Sequence, residues 1–130
     1  MIELTRNDLQ AIYLRFDSSG IEVLINELKK LKIDGYQSTI NIMLDTSVIT
    51  LKKCRMEDRY ITILKDNDIK LSVLEEQEGK LTWKLDNEDI DYAIERFYEC
   101  KVCKYFSPPE FIRVKVSKNK KVDYMYCEFI

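Results

Sequence analysis

The chain of 130 residues contains no histidine. That absence excludes Ser–His and Cys–His nucleophile pairs, imidazole acid–base catalysis and zinc sites of mixed Cys and His ligands. Glycine is nearly as scarce. Gly20, Gly35 and Gly79 lie far apart, so no glycine-rich loop is available to cradle a phosphate. No apolar run approaches the roughly 20 residues of a membrane-spanning helix. The opening MIELTRND is too polar for a secretory signal, which points to a cytoplasmic protein. The four cysteines then read as reduced thiols and not as a disulfide frame.

What is present is the balance of an ordinary globular domain, with 45% hydrophobic and 34% charged residues. The length fits one domain spanning 1–130 with a core that needs no covalent staples. The segment AIYLRF alternates and predicts a strand with Ile12, Leu14 and Phe16 on one side. A helix follows, with Ser19 and Glu22 as a capping box and Ile21, Leu24, Ile25, Leu28 and Leu31 as its apolar stripe, ending near Gly35.

From residue 39 the period becomes two. Ile40, Ile42 and Leu44 form one face, then Ile61 and Ile63, then Ile69, Leu71 and Val73 against Lys70 and Ser72, then Leu81, Trp83 and Leu85. VITLKKC (48–54) reads as a weaker strand. A second helix starts at Asp86 or Asn87, buries Ile90, Ala93, Ile94 and Phe97, and stops before SPPEF. FIRVKV and VDYMYCEF then form a terminal hairpin around the basic turn SKNKK. The expected fold is α+β: an antiparallel β-meander with two helices packed on one face and a C-terminal β-hairpin, without internal repeat.

Cys100 and Cys103 are the only closely spaced thiols. A structural zinc site needs a second such pair, yet Cys54 and Cys127 are isolated in expected strands. A redox couple needs its first thiol at a helix N-terminus, whereas these fall at a C-terminus. The expectation is therefore no metal, no cofactor and no catalytic thiol, with Cys100 filling the helix stripe.

Charge is distributed unevenly around a net −2: residues 57–99 carry thirteen acids and six bases, residues 101–121 seven bases and one acid. Glu88, Asp91, Glu95 and Glu99 recur at three- and four-residue spacing, which makes an acidic strip on the outer face of the second helix. Glu75, Glu76 and Glu78 add acids at the preceding turn. A solvated helix face explains such a strip without further function. A docking surface for a basic protein is the functional alternative.

Arg113, Lys115, Lys118, Lys120 and Lys121, with Tyr124 and Tyr126, support a second alternative, a nucleic-acid contact on the hairpin. Lysines that block edge-to-edge sheet pairing explain it structurally. Adjacent acids such as Asp89 and Asp91, or Glu75 and Glu76, leave a carboxylate enzyme as the remaining class.

The order AIYLRFDSSGIEVLINELKKL, then a meander, then LTWKLDNEDIDYAIERFYEC resembles small immunity proteins of bacterial toxin–immunity pairs, including contact-dependent growth inhibition systems. The resemblance lies in layout over most of the chain and transfers no residue by position. It implies a non-catalytic cytoplasmic protein that binds and blocks one cognate toxin, often a nuclease; the acidic strip favours a basic toxin as the partner over nucleic acid, and no membrane partner is expected.

Overall fold

A computed structural model describes residues 1–7, 11–50, 55–116 and 121–130. Among them the chain forms β1 (Ile2–Arg6), β2 (Ile12–Phe16), α1 (Ser18–Ile33), β3 (Gln37–Asp45), α2 (Ser47–Thr50), β4 (Met56–Lys65), β5 (Ser72–Gln77), β6 (Lys80–Leu85), α3 (Asn87–Cys103), β7 (Glu110–Val116) and β8 (Lys121–Phe129). The strands close into one mixed barrel in the order β1-β2-β8-β7-β5-β6-β4-β3.

This corrects the expected antiparallel meander with helices on one face. Consecutive strands do form four antiparallel pairs, β1–β2, β3–β4, β5–β6 and β7–β8. Each of these hairpins joins the next through a parallel contact: β1–β3, β4–β6, β5–β7 and β2–β8. An alternating strand has one dry and one wet side whether its sheet is open or closed, so periodicity cannot distinguish the two. Strand β1 escaped the sequence reading because only Ile2 and Leu4 carry its inward face.

The chain also repeats itself in space. Apart from the short α2 between β3 and β4, units β1-β2-α1-β3-β4 and β5-β6-α3-β7-β8 follow the same order, and exchanging them leaves the strand order and every pairing direction unchanged. The absence of a detectable sequence repeat hid this two-fold arrangement.

The pairing directions place the C-terminal ends of β1, β3, β5 and β7 and the starts of β2, β4, β6 and β8 at one end of the barrel, the hairpin end. Helices α1 and α3 lie at the other end, packed against each other. Their buried stripes, including Leu24, Leu28, Ile90 and Phe97, merge with the inward side chains of the strands into one core. Phe16, Phe97, Phe106 and Phe111 meet at the helical end with ring centroids 5.4–6.2 Å apart. At the hairpin end, the side chain of Arg6 is 4% exposed and lies 3.6 Å from Asp123. It also donates to the carbonyls of Ser47 and Val48 at 2.9 and 3.2 Å.

Local corrections follow from the same structure. Asp17, not Ser19, caps α1: its carboxylate accepts from the Gly20 amide at 2.9 Å. Glu22 instead pairs with Lys101 of α3 at 2.6 Å. Gly20 is required there because a Cβ would stand 2.2 Å from the Met1 carbonyl oxygen. Asp86 caps α3, with a reciprocal bond between Asp86 and Asp89. Val48 and Ile49 belong to the short helix α2 and not to a strand, and 51–54 lie outside the described residues. In β5 the inward side chains are Ser72 and Leu74, one position out of phase with the expected Leu71 and Val73. Among the described residues no helix is long and apolar enough to cross a membrane.

Candidate interaction surfaces

The barrel interior is filled. Leu4, Leu14, Leu24, Ile40, Ile42, Ile61, Leu74, Trp83 and Met125 surround an apolar void of only about 10 Å³. A void of that size and lining stays dry and holds no ligand. Recognition therefore falls to the outer surface.

The fold separates the two acidic groups read from the sequence. Glu78 lies in the β5–β6 turn at the hairpin end, where Glu78 and Gly79 both have positive φ as in a tight two-residue hairpin. Strand β6 runs from that turn toward α3 at the helical end, and six extended residues span roughly 17 Å. Glu75 and Glu76 are also engaged elsewhere, with Lys84 at 3.1 Å and Arg59 at 3.0 Å. As neighbours along a strand they point to opposite sides, so they do not form a carboxylate pair.

The four acids of α3 are all exposed, as expected from their spacing. Asp91 reaches Lys32 of α1 at 2.7 Å. Together with Glu22–Lys101 and a bond from Lys29 to the Tyr98 hydroxyl, this pair fastens the two helices in antiparallel orientation. Glu88, Glu95 and Glu99 make no ion pair with any described residue. Tyr98, Val102 and Tyr105 lie exposed along the C-terminal part of the same helix and just beyond it. Arg96 plays another part: it stacks over Phe106 at 4.3 Å and donates to the Glu110 carbonyl at 3.1 Å, anchoring the segment between α3 and β7.

A cleft of about 360 Å³ at the start of α3 is lined by Lys70, Asp86, Glu88, Asp89, Arg113 and Tyr124, among others. Burial, followed by the charge of Asp86, pushes the Asp89 carboxyl above its ordinary value. Both acids are already committed to the capping box. Asp91 exits the other way, toward Lys32, so Asp89 and Asp91 do not act as a pair either.

Cys100 is buried in the α3 stripe, and burial raises its thiol pKa. Cys127 is buried within the barrel and shifted further in the same direction. Cys103 is exposed, and Cys54 lies outside the described residues. Among the described residues no three Cys, Asp or Glu side chains converge to hold a metal.

On the opposite wall, the outward residues of β2, β8 and β7 form a mixed aromatic and basic face. Tyr13 and Tyr126 are register partners with rings stacked at 5.3 Å and 23°. Tyr124 continues the row at 6.3 Å from Tyr126 and is 50% exposed. Arg113 stands directly across from Tyr124, with Lys115 two positions on. Lys118 and Lys120 lie outside the described residues, and Lys121 begins β8. The sequence placed Tyr124 and Tyr126 on this side. It missed Tyr13, although the alternation of AIYLRF already turned that residue away from the core.

The sequence matches no protein-family model, and no curated protein or solved structure is significantly similar to it.

Proposed function

We propose that this protein is a non-catalytic binding module of the cytoplasm that docks a basic protein on the outer face of α3, acting as an immunity protein that neutralises a toxin. The observation that carries this reading is the set Glu88, Glu95 and Glu99, exposed on one helix face with no ion pair to any described residue. Other acids of the fold are paired within it, among them Glu3, Glu22, Glu57, Glu75 and Glu76. Carboxylates left uncompensated on one face repel each other and attract a cationic surface, so they accelerate encounter with it. Tyr98, Val102 and Tyr105 supply the apolar and aromatic contact area that a specific interface needs beside its charges. Asp91, held by Lys32, contributes to the potential but is less able to re-pair.

The test is capture of a partner from the source cell by the wild type and by the double variant Glu95→Lys, Glu99→Lys. Association should slow by about tenfold or more at low salt, with the melting temperature retained. The captured protein, expressed alone, should arrest growth, and co-expression of this chain should restore it. Equal association of the two forms removes α3 from the interface. A captured partner without toxicity removes the immunity role.

A further inference from the structure

Helices α1 and α3 carry the internal two-fold in their side chains as well as in their order. Lys29 and Tyr98, 69 positions apart, bond to each other near that axis. The same displacement takes the cap Asp17 to the cap Asp86 and Ile21 to Ile90. It also takes one ion pair between the helices, Glu22–Lys101, onto the other, Asp91–Lys32. The outer faces correspond too: Ile33 matches Val102, at 75% and 78% exposed, and Val23 matches Tyr92, at 42% and 39%. Seven of the thirteen exposed large hydrophobic side chains among the described residues lie on these helices or within three residues of their ends, so apolar surface is concentrated on this layer. Charge is the part that does not match. Exposed Ser19, Asn26 and Lys30 on α1 stand where α3 has exposed Glu88, Glu95 and Glu99.

Such a layer can meet its own copy about a two-fold axis in two ways. An axis across the helices sets α1 on α1 and α3 on α3, so the carboxylates of α3 meet themselves. An axis along the helices sets α1 of each copy on α3 of the other and preserves height along the layer. Lys32 is level with Asp91, and Glu22 with Lys101. Lys30 of the second copy therefore arrives between Asp91 and Glu95, and its Asn26 between Glu95 and Glu99. Its Ile33 and Val23 arrive beside Tyr92 and Val102. Charge opposes the first arrangement and favours the second, in which apolar side chains also meet apolar ones. We infer that the α1–α3 layer docks a second copy of this chain, with α1 of each on α3 of the other and Lys30 on Glu95. Helices of this length side by side span roughly 24 by 20 Å, so the two copies together bury about 1,000 Å², the lower bound of a specific contact. The dimer is therefore weak and reversible. A basic protein docked on α3 uses the same acids and displaces the second copy, but the self-contact does not rest on that partner.

The experiment is sedimentation equilibrium of the full chain at low salt, at concentrations up to about 0.2 mM, where a reversible monomer–dimer equilibrium is expected. Lys30→Glu and Glu95→Lys should each weaken the dimer by about tenfold, because each change occurs twice in a symmetric contact. The double variant Lys30→Glu, Glu95→Lys restores opposite charges across the contact and should return to within about threefold of wild type. Replacing Ile33 and Val102 together by Ser should weaken the dimer by about tenfold or more. Circular dichroism melts confirm that each variant is folded. Lys30→Glu leaves the acids of α3 in place and should capture a basic partner at the wild-type rate, so failure of the dimer and failure of that partner are read separately. A chain that stays monomeric throughout, or a dimer indifferent to these changes, overturns the docking surface. A dimer that either single charge reversal leaves intact, or that the charge swap does not restore, overturns the pairing of α1 with α3.

Discussion

Inside the barrel, the indole N–H of Trp83 donates to the Ser72 hydroxyl at 2.9 Å, and that hydroxyl donates in turn to the Lys84 carbonyl at 2.9 Å. Trp83 is the only tryptophan, and both side chains are buried. Replacing Ser72 by Ala leaves a buried indole donor without its acceptor, which costs about 1–3 kcal/mol. Urea unfolding followed by Trp83 fluorescence should show a lower midpoint at an unchanged slope. An unchanged midpoint would mean that another acceptor takes over.

The same pair marks an error of phase. Leu71 and Val73 are the larger hydrophobes, so sequence alternation turns them inward and leaves Ser72 wet. The observed phase buries Leu74 in their place, and it also sets Ser72 against Trp83, whose buried indole must be satisfied. Elsewhere the alternation of β3, β6 and β8 and the stripe of α1 were legible, since each is repeated several times along its element. Barrel closure was not. It depends on parallel contacts such as Ile12–Met125, between residues that no local pattern links. The candidate surfaces divide likewise. Spacing alone put Glu88, Asp91, Glu95 and Glu99 on one helix face, but only the topology separates them from Glu78 and brings Tyr13 beside Tyr126.

Lys104 terminates α3 with φ of 60°, in the left-handed region. A side chain there costs about 1 kcal/mol that glycine avoids. Lys104→Gly should therefore raise the unfolding free energy by roughly that amount. Chemical denaturation measures it directly, and a loss of stability would show that the lysine side chain, which lies 5.8 Å from the Phe129 ring centroid, contributes more than the backbone conformation costs.

Thiol reactivity should follow burial. In a Cys54→Ser background, Cys103 is expected to label rapidly under native conditions, while Cys100 and Cys127, buried and with raised pKa, label only on unfolding. Peptide mass spectrometry after a short alkylation pulse identifies each site. Fast labelling of Cys100 would place α3 among the locally opening parts of the fold.

Asp89 gives stability a pH dependence of definite sign. Its carboxyl is raised in the folded state, by burial first and then by Asp86, so the folded chain holds that proton more readily than the unfolded one. The corresponding stabilisation is complete below the unfolded value of about 3.9 and is lost as pH rises through the raised folded value. Asp89→Asn keeps a side-chain oxygen for the Asp86 amide without the charge. Relative to wild type, the variant should gain more stability at about pH 7 than at about pH 3. A difference that does not change with pH would remove Asp89 from the titration.

The seam between β2 and β8 has a consequence for biosynthesis. Arg15 and Glu128, 113 positions apart in sequence, face each other across it. While the chain leaves the ribosome, Arg15 of β2 is made that far ahead of Glu128 in its neighbour β8. The backbone amides and carbonyls of β2 stay without that neighbour until β8 has emerged. Completing the ring is thus a late event, and until then the nascent chain must be kept from pairing with a stranger.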